Sequence, residues 1–72
     1  MYGLYLICPG EPTAEVELSE DVELLSFTPW ALKRDPGTQF VIARDDGIVI
    51  AAENPTTREF VWIDEDLEPT DD

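Results

Sequence analysis

A chain of 72 residues with 17 Asp and Glu against 4 Lys and Arg carries a formal charge of −13. That length allows one domain with a modest core, and that sign excludes a surface built to hold a phosphate backbone. With no histidine and with Cys8 as its one cysteine, the chain lacks the groups for a histidine-activated nucleophile, a tetrahedral zinc site or an internal disulfide.

In chain order, the first predicted element is a strand over 2–7, with Tyr2, Leu4 and Leu6 on one face and Gly3, Tyr5 and Ile7 on the other. Pro9 and Pro12 break it, because neither can donate to a ladder. Glu15-Val16-Glu17-Leu18 alternates, which predicts a strand with Val16 and Leu18 inward and the glutamates outward. Ser19 is a candidate cap for a short helix, with Glu20 and Asp21 in its first turn, Val22 and Leu25 toward the core and Leu24 as a further candidate there. A strand is the alternative for 22–27. Thr28-Pro29 starts a second helical turn running through Trp30 to Arg34, with Lys33 and Arg34 near its negative end. Asp35-Pro36-Gly37 ends it, since the residue before proline is pushed out of the helical region.

Residues 39–63 read as a three-stranded meander. Gln39-Phe40-Val41-Ile42-Ala43-Arg44 is rich in β-branched and aromatic residues. Asp46-Gly47 predicts a two-residue type I′ turn, with Arg44 opposite Val49, Ala43 opposite Ile50 and Ile42 opposite Ala51. Phe40, Ile42, Val49 and Ala51 then share one face, and Val41, Ala43, Ile48 and Ile50 the other. Both faces are apolar, which predicts strands covered on both sides. Glu53-Asn54-Pro55-Thr56-Thr57 is a turn. The third strand, 58–63, puts Phe60 and Trp62 on one face and Val61 and Ile63 on the other. Residues 64–72 read as an acidic tail, partly disordered. The expected fold is α+β and nearly all-β: a small antiparallel sheet of four or five strands, a central meander at 39–63 and one or two short helical turns. It forms one domain over 1–63, followed by the tail.

The charge is unevenly spread. Residues 1–32 hold six acids and no base, 33–58 hold four of each, and 59–72 hold seven acids and no base. Self-repulsion of this size opposes a compact state. The first block offers Glu11, Glu15, Glu17, Glu20, Asp21 and Glu23 as partner-binding residues, and the second offers Asp64, Glu65, Asp66 and Glu68. Alternate residues on a strand lie ~6.6 Å apart and neighbouring strands ~4.8 Å apart, a spacing suited to imitating the phosphates of a DNA strand, one per ~3.4 Å of axis. Trp30 is the candidate aromatic anchor, with burial in the core as its competing role.

These features predict a non-enzymatic DNA mimic that inhibits a basic nucleic-acid-binding protein or complex. The type is phage or mobile-element counter-defence: anti-CRISPR, anti-restriction or DNA-repair inhibition. The alternatives are a small halophile-type acidic domain whose charge only solvates it, and an antitoxin or immunity protein against a nuclease toxin. No cofactor or metal is expected, because Asp45-Asp46-Gly47 and Asp64-Glu65-Asp66 lack the alternating ligands of a calcium loop. Nor is direct nucleic-acid or membrane binding. No stretch is long enough to span a bilayer, and the apolar N-terminus has no positive n-region. The expected location is the cytoplasm, that of the host if the chain is phage-encoded. Edge strands in so small a sheet also invite pairing as a homodimer.

Overall fold

The computed structural model of the protein describes residues 1–31 and 37–67, with the side chains of Trp30 and Ala31 outside that description. Within it, the elements are β1 (Tyr2–Ile7), β2 (Ala14–Ser19), α1 (Val22–Phe27), a 3-10 turn Thr28–Ala31, β3 (Gln39–Arg44), β4 (Val49–Glu53), β5 (Phe60–Trp62) and a 3-10 turn Glu65–Leu67. The five strands form one sheet in the order β2-β1-β3-β4-β5, and every adjacent pair is antiparallel. The fold is a nearly all-β small domain. The meander stands at 39–63, and 22–27 is helix rather than strand.

Register defines the two faces. Leu4 lies opposite Ile42 and Leu6 opposite Phe40, while Ile42 lies opposite Ala51 and Ala51 opposite Trp62. These side chains close around Leu25 of α1, with Tyr2, Val22, Phe60 and Leu67 packed at the margin. Both α1 and the 65–67 turn therefore cover the same side of the sheet. The second turn reaches it because the Ile50 carbonyl accepts from the amides of Ile63 and Asp64, at 2.8 and 3.1 Å. Of the stretch expected to be an acidic tail, residues 64–67 thus turn back onto the core, and 68–72 lie outside the described residues. The turn expected through Arg34 is described only as far as Ala31.

The other side of the sheet has no helical cover among the described residues, contrary to the expectation of cover on both faces. It carries Leu18, 49% exposed, and Val61, 59% exposed. Apolar alternation on both faces shows that a strand is central. It does not show that enough chain remains to build a second layer. On this side the Tyr5 ring lies across Gly3, so close that a methyl group at residue 3 would collide with it at 2.7 Å.

Two bulges change the expected registers. In β2, Leu4 faces Glu17 and Tyr5 faces Glu15, which leaves Val16 as the extra residue. Glu17 therefore turns to the helical side and Leu18 to the open side, opposite Gly3, reversing the predicted orientation of this strand. In β4, Ile42 faces Ala51 but Ala43 faces Val49, so Ile50 is the extra residue and turns inward. The extra residue of a bulge shifts side chains between faces, and alternation alone cannot register it. The 44–48 connection also differs from a type I′ turn. The Gly47 amide donates to the Arg44 carbonyl at 2.9 Å, and the Arg44 amide to the Ile48 carbonyl at 2.9 Å. Only Gly47 takes a positive φ there, +89°. This is a three-residue loop with glycine in the left-handed position.

Helix α1 is capped by Asp21, not by Ser19. The amides of Glu23 and Leu24 donate to the Asp21 carboxylate at 3.0 and 3.3 Å, and the Asp21 amide donates to the Ser19 hydroxyl at 3.0 Å. Both residue types cap well. A carboxylate in the cap position also meets the positive end of the helix dipole.

Leu25 is fully buried, whereas its neighbour Leu24 is 51% exposed. Leu25→Ala should cost about 3 kcal/mol, a large share of the stability of so small a domain, and Leu24→Ala less than about 0.5 kcal/mol. Urea unfolding of both variants checks this. Equal losses would overturn the stated orientation of α1.

Candidate functional site

The basic residues of the described chain are engaged within its central stretch. Arg44 pairs with Asp46 at 2.9 Å and Arg58 with Glu53 at 3.6 Å. The N-terminal amine meets Asp45 at 3.7 Å. Glu53 is 1% exposed, and its carboxylate also accepts from the Phe40 amide at 3.4 Å. Its own carbonyl takes the Gln39 side-chain amide at 2.7 Å. Arg58 reaches Glu53 from a turn closed by its amide on the Asn54 carbonyl at 2.7 Å. That closure holds Arg58 at a φ of +65°. Glu53 is thus a structural carboxylate, not part of the acidic surface.

The flanking acids make no ion pair with any described residue. They do not form one row. Glu11 sits in the exposed β1–β2 loop. Glu15, on the β2 edge, belongs to the open side, opposite Tyr5. Glu17 is half-buried on the helical side and accepts from the Thr28 hydroxyl at 2.8 Å. The bulge at Val16 thus separates Glu15 and Glu17, which strict alternation would have set side by side. Asp21 is spent on capping. Glu20 and Glu23 stand exposed beside it, and no described residue donates a hydrogen bond to their carboxylates.

The second block folds onto the same side of the sheet as α1. Asp64 accepts from the Asp66 amide at 3.2 Å, which shapes the turn, and Glu65 and Asp66 are exposed. Glu68 lies outside the described residues, as does the side chain of Trp30. The exposed acids without a described partner are Glu20, Glu23, Glu65 and Asp66, on or beside the elements that cover the helical side, and Glu11, Glu15 and Glu59 elsewhere. Strands β2 and β5, which lead to these elements, form opposite edges of the sheet.

Among the described residues no three carboxylates or thiols are grouped so as to hold a metal ion, and no helix is long and apolar enough to cross a membrane. A groove of about 320 Å³ lies on the open side of the sheet, bordered by Tyr5, Ile7, Val41 and Val49 and by the charged pair of neighbours Arg44 and Asp45. Sequence reading did not single it out. Its signal was present in the apolar odd positions of β1 and β3.

No protein-family model matches the chain, and no curated protein or solved structure is significantly similar to it.

Asp46 shows the local electrostatics. The Ile48 amide donates to its carboxylate at 3.1 Å. That bond, aided by Arg44, holds its pKa below the ordinary 3.8. A depressed carboxylate pKa contributes stability that is fully present above the unfolded value and lost as pH falls through the folded one. Stability of the parent relative to Asp46→Asn should therefore decline as pH drops below about 4. Carboxyl NMR titration placing Asp46 at or above 3.8 would contradict this.

Proposed function

We propose that this protein is an acidic inhibitor of the DNA-mimic kind, which occupies the basic nucleic-acid-binding site of another protein. The observation that carries the reading is the division of charge. Described bases pair with central acids, and Glu20, Glu23, Glu65 and Asp66 stay exposed on the helical side without a described counter-ion. A surface of one sign, backed by a low-dielectric sheet, steers a cationic partner over long range and raises its association rate. The mimicry rests on two groups of carboxylates, Glu20 with Glu23 and Glu65 with Asp66, beside opposite edges of the sheet, rather than on a regular strand row through Glu15 and Glu17. Phage or mobile-element counter-defence against CRISPR, restriction or repair proteins suits such a surface, since those targets present cationic clefts to a phosphate backbone.

The discriminating variant is Glu20→Lys/Glu23→Lys/Glu65→Lys, because these side chains bear no structural hydrogen bond. The immobilised parent should retain nucleic-acid-binding proteins from lysate at low salt and release them at high salt. The retained proteins should lose their grip on DNA when the free parent is added. The triple variant should bind at least about tenfold more weakly with unchanged circular dichroism. Equal retention by parent and variant would refute the proposed surface.

Thermal unfolding against salt addresses the halophile-type alternative. An inhibitor that works in an ordinary cytoplasm melts cooperatively at low salt, with a modest gain as repulsion is screened. A chain that gains structure only near molar potassium chloride would show that its acidity serves the solvent.

A further inference from the structure

We infer that two copies of this chain pair face to face through the open side of the sheet. This goes beyond the acidic-surface reading and does not depend on it. The face runs from Leu18 on β2 through Ile7, Val41 and Val49 to Val61 on β5. Its strand positions carry a single carboxylate, that of Glu15, at the β2 edge. On a chain of charge −13, such a face has little to offer a cationic partner. It suits a neutral, apolar sheet like itself.

Charge geometry selects this face for self-association. Two sheets stacked through it lie ~10 Å apart, and each helical layer adds ~10 Å behind its own sheet. The exposed acids of the two copies then stand ~30 Å apart, several times the ~8 Å Debye length at physiological salt. Pairing through the helical side would instead press Glu20, Glu23, Glu65 and Asp66 against their own copies. Edge pairing is also disfavoured. Strand β2 is bulged and bears Glu15 and Glu17, and β5 has three residues, both of which blunt an edge.

The area sets the strength. Strands of six, six, six, five and three residues, ~4.8 Å apart and rising ~3.3 Å per residue, span roughly 400 Å² per copy. That sum falls at the small end of specific interfaces, so the dimer is weak and reversible. The groove of about 320 Å³ over Val41 and Ala43 is a socket for an aliphatic side chain of the second copy.

Sedimentation equilibrium of the full chain, from about 10 to about 500 μM, tests the pairing. The mass should rise from that of the 8.1 kDa monomer toward twice that value, and at lower concentration in 1 M than in 0.15 M potassium chloride. Val61→Glu and Leu18→Glu should each raise the midpoint at least about tenfold. Both side chains are already solvated in the single copy, so the fold should persist by circular dichroism. Leu24→Glu, on the helical side, should leave the midpoint unchanged. A parent that stays monomeric throughout overturns the inference, whether the face is then bare or reserved for a different protein. A dimer that both open-side variants leave intact overturns it equally.

Discussion

The supply of chain is the constraint on which this structure depends. Five strands consume the sheet-forming residues, and the described helical segments have six, four and three. That is enough to lay one thin layer over the sheet. Among the described residues the clustered core forms on the helical side, around Leu4, Leu25, Phe40, Ile42, Ile50 and Ala51, while Val41 and Ala43 are buried on the other side without a helical layer over them. Three short devices hold the layer in place: the Asp21 cap, the Thr28 hydroxyl on Glu17, and the Ile50 carbonyl gripping the amides of Ile63 and Asp64. A domain of this size buries a smaller fraction of its surface than a large one. Each of these polar anchors consequently weighs more than it would in a thicker protein.

One-sided cover also sorts the charge. Carboxylates accumulate where the chain is short, helical and solvated, and the few described bases are committed inside the meander. The result is a two-faced molecule, one side acidic and one side apolar. The two sides make different demands on a partner. The acidic side acts at a distance and is weakened by salt. The apolar side acts only on contact and is indifferent to salt or strengthened by it. Under the two proposals, the acidic contact and the sheet-to-sheet contact fall on different faces and do not compete.

Much of the fold was legible in the residues. Alternation and turn chemistry placed the meander and the faces of Phe60, Val61 and Trp62, and capping residues favoured a helix at 22–27 over the strand that was its alternative. Bulges were the illegible part. Val16 and Ile50 each shift the register by one, and each reverses which neighbours face inward, because a period of two has no tolerance for an inserted residue. Glu17 and Leu18 exchanged places for that reason. The cap moved from Ser19 to Asp21 because two good capping residues stood two apart, and the tertiary position of Leu25 chose between them. The acidic blocks were plain from composition. Which of their members were structural was not, since Asp21, Glu53 and Asp64 are distinguished only by the amides and the guanidinium that surround them.

The pairing of β1 with β3 is unbroken over six residue pairs, from Tyr2 with Arg44 to Ile7 with Gln39. It joins β1 to a strand that the ribosome delivers more than thirty residues later. At ~5–20 residues per second, the inner edge of β1 waits seconds for its partner, carrying Leu4 and Leu6 exposed. Strand β2 occupies the other edge of β1, so completing the sheet depends on a contact distant in sequence, the kind that slows folding.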